Sequence, residues 1–433
     1  MAERLPPAPW TRRKDLAGLI AALGPGNARY VGGAVRDTLL GLEAKDIDLA
    51  TPLEPADVIA RLGEARIKTV PTGIDHGTVT AILSEGPVEI TTLRHDVSAD
   101  GRRATVAFAS DWQDDAARRD FTINALYADP ASGELSDFFG GLGDLKARRV
   151  RFIGDARQRI REDHLRILRY FRFQARFGSL PADAEAESAC AELAATLKGL
   201  SRERVGMELF NLLALPDPAP TVARMAELGV LAVILPEARP EALARLVGEE
   251  QRQSVPPDPL RRLAALLPAE VPLAEQVAAR FRLSGAQKKR LALAAGRDSN
   301  PSRACLGEGD RPKGGGGGGA ASAAGAAHPS VSPDGLPPPR DELGEDHIAR
   351  ALAYRLGLDA ALDRLLLAGA DIAPLRDWTI PTVPLKGGQI VARGVKAGPQ
   401  VARILRAVED RWVAEQFPGE ERVWELLGKE LAR

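Results

Sequence analysis

Near residue 151 the apolar pattern of this chain changes period, and that change decides what the chain can fold into. From residue 28 to 150, short runs rich in Val, Ile and Thr alternate with turns marked by Gly, Pro and Asp. The strand-like runs are ARYV, DIDLAT, KTVP, GTVTAIL, VEITTL, ATVAFA and TINALYAD; AVRDTLL and EPADVIARLG read as helices. From residue 151 onward, Ile160, Leu165, Ile167, Leu168, Phe171 and Phe173 recur at helical spacing. Helical patterning then runs to about residue 296, with breaks at Pro181, Pro216–Pro220 and Pro236. The expected fold class is α+β: a mixed-sheet domain over 1–150, then all-α domains over 151–215, 216–296 and 346–433. Residues 297–345, with KGGGGGGAASAAGAAHPSVSPDGLPPP, carry almost no large apolar side chains and read as a flexible linker or insertion. In the last segment Val401, Ile404, Leu405, Val408 and Trp412 mark one helix face behind Pro399.

Bulk properties exclude some function classes. A net charge of −1 over 433 residues rules out a strongly basic protein, though a local basic patch still suffices for nucleic acid. The two cysteines, Cys190 and Cys305, lie far apart, which argues against a structural zinc site or a disulfide framework. The start MAERLPPAPWTRRKDL is too polar for a signal peptide, and no apolar run approaches the ~18 residues of a membrane span. A cytoplasmic protein with no membrane partner is expected.

The chemistry concentrates first in YVGGAVRDTLLGLEAKDIDLAT, residues 30–51. Alternate residues of a strand share a face, so Asp46 and Asp48 are expected side by side with Ile47 packed behind them. Such carboxylates repel at neutral pH unless a cation lies between them, and few hard oxygen ligands suit Mg²⁺. Taken alone, the pair also fits a solvated strand end. Gly32 and Gly33, between a strand and a helix, are expected to offer free backbone N–H groups to a phosphate, with Arg36 reaching the same anion. Together these residues read as a triphosphate-and-metal arrangement. Downstream, Arg118 and Arg119 precede a run beginning at Phe121; the guanidinium fork suits phosphate. Asp120 and Asn124 are expected to hold the turn and the palm together.

The segment EDHLRILRYFR is expected to be one helix whose Asp163, Arg166, Arg169 and Arg172 recur every three residues in a stripe. Residues 146–176 hold eleven Lys/Arg against three Asp/Glu, an excess expected to attract an anion rather than be neutralised internally. A solvated, self-paired helix face is the alternative. Asp163 only accepts hydrogen bonds and Arg166 only donates them. Cytosine and adenine each present an amino donor beside an unprotonated ring nitrogen and fit such a pair; uracil and guanine do not. Arg169 and Arg172 would support phosphate or stack near the base.

VGGAVRDTLLG followed by DIDLAT resembles the signature of the class II tRNA nucleotidyltransferases, a family that includes CCA-adding enzymes and bacterial poly(A) polymerases. TGIDHGTVTAI, ARRDFTINALY, DFFGGLGDLKARRVRFIG, REDHLRILRYFRF and LSRERVGMEL continue the likeness in order, over about residues 28–235. PLKGGQIVARGVKAGPQVARIL is a fainter echo. The resemblance implies a nucleotidyltransferase palm followed by helical neck, body and tail. It implies Mg²⁺ on Asp46 and Asp48, triphosphate contact by Arg119, and pairing of Asp163 and Arg166 with the bases of CTP and ATP. The implied reaction is CCA addition to the tRNA 3′ end. Poly(A) addition to RNA 3′ ends is the alternative, and a non-catalytic RNA-binding protein is a rival of another class. Glu89 is a candidate third carboxylate, and RHDVSADGRRAT is expected to be a mobile loop beside the site. Phe138 stands where the family usually has proline, and the low-complexity segment is unlike the family. RHD at 94–96 alone would suggest a metal phosphohydrolase, but the other histidines are scattered. Lys386, Lys396, Arg403, Arg406 and Arg411 either grip an RNA backbone or face solvent.

Overall fold

The computed structural model describes residues 3–74, 77–100, 103–108, 111–296 and 344–433. The expected linker therefore lies outside the described residues, except that Gly344 and Glu345 open a helix, Glu345–Leu356. The chain divides into two compact units, Met1–Pro240 and Glu241–Arg433.

In the first unit the strands are β1 (Arg29–Val31), β2 (Asp48–Thr51), β3 (Lys68–Gly73), β4 (Thr78–Leu83), β5 (Gly86–Thr92), β6 (Arg94–Asp100), β7 (Arg103–Phe108), β8 (Leu126–Ala128) and β9 (Leu135–Asp137). Seven form one mixed sheet in the order β3-β4-β5-β2-β1-β8-β9, with β2 and β5 parallel and the other pairs antiparallel. Among the described residues β6 and β7 pair with each other as a separate two-stranded sheet, so RHDVSAD and part of the ATVAFA run, within the segment expected as a loop, are strands. The helices α1 (Lys14–Leu23), α2 (Gly33–Leu39), α3 (Pro55–Glu64), α4 (Trp112–Ala117) and α5 (Gly141–Lys146) accompany the sheet.

Register sets the site. Val31 of β1 stands opposite both Asp48 of β2 and Tyr127 of β8, and Asp48 stands opposite Glu89 of β5. Tyr127, Val31, Asp48 and Glu89 thus form one row across the sheet. The turn at Gly32, directly after Val31, must lie beside Asp48. Under this end of the sheet Val31, Ala50, Leu93, Ala116, Ala125, Tyr127 and Ile153 form a buried cluster, with Trp112, Phe138 and Phe139 against it. Phe138 packs edge-on to Tyr127, while Asp137 accepts the N–H groups of Phe139, Gly141 and Leu142 and caps α5.

The helical part begins with α6 (Ala156–Glu162), α7 (Arg166–Phe177), α8 (Ala184–Leu193), α9 (Arg202–Leu213), α10 (Ala219–Glu227) and α11 (Val230–Ile234). α7 packs on α9 and α10, so the first unit runs on to Pro240. The expected division at residue 216 falls inside it. Two local expectations change. EDHLRILRYFR is not one helix: Asp163 is extended (φ −148°, ψ 104°) and separates α6 from α7. Its Oδ1 accepts the Leu165 N–H at 3.1 Å, a local bond that competes with helix continuation. TINALYAD is only partly a strand. Thr122–Asn124 form a 3₁₀ turn, and β8 begins at Leu126.

The second unit is all helical in the described residues. Its core gathers Leu246, Leu352, Leu366, Ile404, Val408, Trp412 and Leu426. Helix Pro399–Ala414 buries Ile404, Val408 and Trp412, as the 3.6-residue spacing requires. Lys386, Lys396, Arg403 and Arg406 are exposed.

Candidate active site

One cavity of about 650 Å³ in the first unit is lined by Gly32, Gly33, Arg36, Asp46, Asp48, Arg118, Arg119, Asp120, Asn124, Asp163, Leu165, Arg166, Arg169, Phe173 and Arg204. It brings together Gly32, Gly33, Arg36, Asp46, Asp48, Arg119, Asp163, Arg166 and Arg169 of the candidates from the sequence; Glu89, which stands opposite Asp48 in register, and Arg172 are not in its lining. The Arg172 side chain turns to Glu208 of α9, with Nε donating to Oε2 at 2.7 Å, and its guanidinium lies over Phe173. It does not line the cavity.

Asp48 opens β2, whereas Asp46 lies in the bend before it; the pair is a strand end, not two positions of one strand. Asp46 is exposed and Asp48 half-buried above the buried Ile47. Burial, then the charge of Glu89, pushes the Asp48 carboxyl up to about 6, while Arg119 pulls the other way. Such crowding of carboxylates at a cavity wall fits a site that receives a divalent cation. Among the described residues no third His, Cys, Asp or Glu completes a larger ligating cluster.

Gly32 has φ +71°, the conformation that lets β1 turn sharply into α2. A side chain there would also approach Arg119 Nη1, since an added Cβ would lie 3.5 Å from it. The Gly32 N–H donates to the Leu126 carbonyl, so it is not one of the free donors expected from the sequence. Arg36 is only 6% exposed and already engaged. Its Nε donates to Asp37 at 2.8 Å, its Nη1 to Asn124 Oδ1 at 2.5 Å, and its guanidinium covers Phe177.

Asn124 in turn donates to Asp120 Oδ1 at 2.9 Å, and Asp120 Oδ2 accepts both Nε and Nη2 of Arg169, at 2.8 and 2.5 Å. A continuous chain, Arg36–Asn124–Asp120–Arg169, thus joins the glycine turn to α7. Burial opposes ionisation of Asp120, but Arg169, Asn124 and the Phe121 N–H outweigh it and hold the carboxyl below its usual range. Asp120 and Asn124 thus link their turn to Arg169 of α7.

The expected basic excess is largely met by distant acids. Arg149 and Arg151 pair with Asp144, Arg157 with Glu192, Arg169 with Asp120, Arg172 with Glu208 and Arg176 with Asp37. A count confined to 146–176 missed partners that only the fold supplies.

Asp163 and Arg166 are held by different parts. Asp163 Oδ2 accepts from Arg204 of α9 at 3.1 Å. Arg166 Nη1 donates to Glu162 at 2.6 Å and to the Arg159 carbonyl at 2.9 Å; Nη2 donates to the Arg118 carbonyl at 3.2 Å. Each carboxylate oxygen of Asp163 keeps a lone pair, and the Arg166 fork keeps unused N–H groups. Arg204 was legible only as part of LSRERVGMEL, with nothing local to mark its role. Leu165 and Phe173 read as core positions, although both reach the cavity wall.

Residues 28–151 match the model of the poly A polymerase head domain, and residues 182–241 match a probable RNA- and SrmB-binding site of polymerase A. The mitochondrial CCA tRNA nucleotidyltransferase 1 of Danio rerio is 34% identical over 403 residues, covering 90% of this chain and 84% of that protein. Its Homo sapiens counterpart is 50% identical over 188 residues, 43% of each chain. The crystal structure of the Bacillus stearothermophilus CCA-adding enzyme in complex with CTP shares the fold, with TM-score 0.66 and 24% identity over 97% of this chain and 98% of that one. With relatedness extending over nine-tenths of its length, the chain belongs to the CCA tRNA nucleotidyltransferase family.

Proposed function

We propose that this protein adds CMP and AMP, from CTP and ATP, to the 3′ end of tRNA, building or repairing the CCA terminus. The 3′-oxygen of the RNA bonds to the α-phosphorus, the bond to the β-phosphate breaks, and pyrophosphate leaves. The observation that carries this reading is the single cavity shared by the Asp46–Asp48 pair, Arg119 and the Asp163–Arg166 pair. Crowded carboxylates, a phosphate-binding guanidinium and a donor–acceptor pair for a base edge are the parts that template-independent nucleotidyl transfer needs.

Asp46 and Asp48 fit a divalent cation, and their hard oxygens favour Mg²⁺. Bound there, the metal supplies hydroxyl activation and neutralisation of the α-phosphate. Gly32 keeps the backbone close to the phosphates. Arg119 grips the triphosphate, and Arg36, Arg169 and Asp120 stiffen the wall behind it. Asp163 accepts the exocyclic amino group of C or A, while Arg166 donates to the adjacent ring nitrogen. U and G would leave buried polar groups unpaired, which is what makes such discrimination large. The cytoplasmic location expected from the sequence is part of the same reading. Among the described residues no helix is long and apolar enough to cross a membrane.

The test is incorporation into tRNA lacking its last three nucleotides, with Mg²⁺ and each nucleoside triphosphate alone and together. Addition of C, C and A followed by arrest supports the proposal. A long A ladder would establish the poly(A) alternative, and no incorporation would leave a non-catalytic RNA-binding protein.

A further inference from the structure

Arg119 follows α4, and a buried acid of that helix holds its guanidinium from behind. Asp115 is 1% exposed and sits within α4. Its Oδ1 accepts from Arg118 Nε at 3.0 Å. Its Oδ2 accepts from Arg119 Nη2 at 3.0 Å, from Arg119 Nε at 3.3 Å and from the Tyr127 hydroxyl at 2.7 Å. The same hydroxyl accepts from Arg119 Nε at 3.2 Å. Tyr127 cannot yield, because its ring is buried in β8 with Trp112 and Phe138 edge-on to it.

The Nε–Nη2 edge of the Arg119 fork is thereby engaged. Nη1 is left without a protein acceptor among the described residues, and it lies 3.5 Å from where a Cβ on Gly32 would stand. Burial pushes the Asp115 carboxyl up, but Arg119 and Arg118, with the Tyr127 hydroxyl, outweigh it and hold it below its usual range. One buried carboxylate thus fixes two arginines at the cavity wall, and their joint charge exceeds its own by one. That surplus faces the cavity.

We infer that Asp115 is a positioning residue: through Tyr127 it locks the Arg119 guanidinium so that Nη1 points to the triphosphate over the glycine turn. The inference rests on the nucleotidyl-transfer reading and adds to it the residue that presets its phosphate grip. Asparagine at 115 offers one acceptor oxygen instead of two and turns an amide N–H₂ toward an arginine. Arg119 then loses its fixed direction without losing its charge.

Equilibrium binding in the absence of RNA tests this with three probes: CTP, inorganic pyrophosphate and CMP. Asp115→Asn is expected to weaken CTP and pyrophosphate by a similar factor of about tenfold or more, the cost of losing a charge-assisted hydrogen bond. CMP, which lacks the β- and γ-phosphates, is expected to bind unchanged. Tyr127→Phe keeps the ring and removes only the bridging hydroxyl; its loss for CTP should be about threefold. That variant carries the test if Asp115→Asn does not fold. Equal weakening of all three probes, or CTP affinity unaltered in the folded variants, would overturn the inference. Failure of the wild type to incorporate any nucleotide into trimmed tRNA would instead remove the functional reading on which it rests.

Discussion

Replacing Asp120 by Asn should uncouple the glycine turn from α7, and its size can be worked out. Asp120 is 8% exposed and holds Arg169 through two hydrogen bonds on one oxygen, while its other oxygen holds Asn124 and the Phe121 N–H. Removing one partner of a buried ion pair costs about 3–5 kcal/mol. Here the Arg169 side chain is 32% exposed and is partly rehydrated once released, and Asn keeps one acceptor oxygen. The cost should therefore be about 2–3 kcal/mol, or about 5–10 °C in the melting of a unit this size. The pH dependence has a definite sign. The folded-state pKa of Asp120 is depressed, so its stabilisation is complete above the unfolded value near 4 and is lost as pH falls through the folded value. The stability gap between wild type and Asp120→Asn, measured by calorimetry or urea unfolding, should be constant from pH 7 to pH 5 and close only below about pH 4. A gap under about 0.5 kcal/mol at pH 7, or one that narrows between pH 7 and pH 5, would refute this account of the network.

Three further outcomes follow from the same geometry. Asp163→Ala should lose base choice while retaining transfer, and Arg204→Ala should relax choice by a smaller factor, because the exposed Arg204–Asp163 pair contributes at most about 1 kcal/mol; misincorporation of UMP and GMP into trimmed tRNA reads both. The Mg²⁺ concentration for half-maximal transfer should rise about tenfold for each pH unit below about 6, since Asp48 must then release a proton to bind a cation; a requirement flat from pH 7 to pH 5 would contradict that. Gly141→Ala should destabilise the first unit by more than about 2 kcal/mol in urea unfolding, because its Cβ would fall 2.3 Å from the Thr122 carbonyl oxygen in the turn that carries Asp120 and Asn124.

The sheet-then-helix division was legible because strand and helix periods differ and the turns between strands carry Gly, Pro and Asp. The acid pair and the glycine turn were legible because their spacing is local. Partners distant in sequence were not. Arg172 looked like a member of the base-facing stripe, but Glu208, 36 residues away in sequence, turns it aside. The Asp163 break was hidden because a single side-chain bond to the Leu165 N–H decides it, within an otherwise strong helical pattern. Asp115 gave no signal in its own segment, where WQDDAA reads as an ordinary acidic helix start; only β8 brings Tyr127 to it.

The interruption between α6 and α7 also has an evolutionary consequence. A residue inside a helix moves only with the whole rod, but Asp163 stands on a short joint moored to α9, whereas Arg166 starts the next rod and is moored to Glu162 and the Arg118 carbonyl. The two halves of the proposed base reader can therefore be retuned separately. Mutations confined to α9 offer a lineage a route to a new nucleotide preference that leaves the guanidinium half, and the Asp46–Asp48 pair, undisturbed.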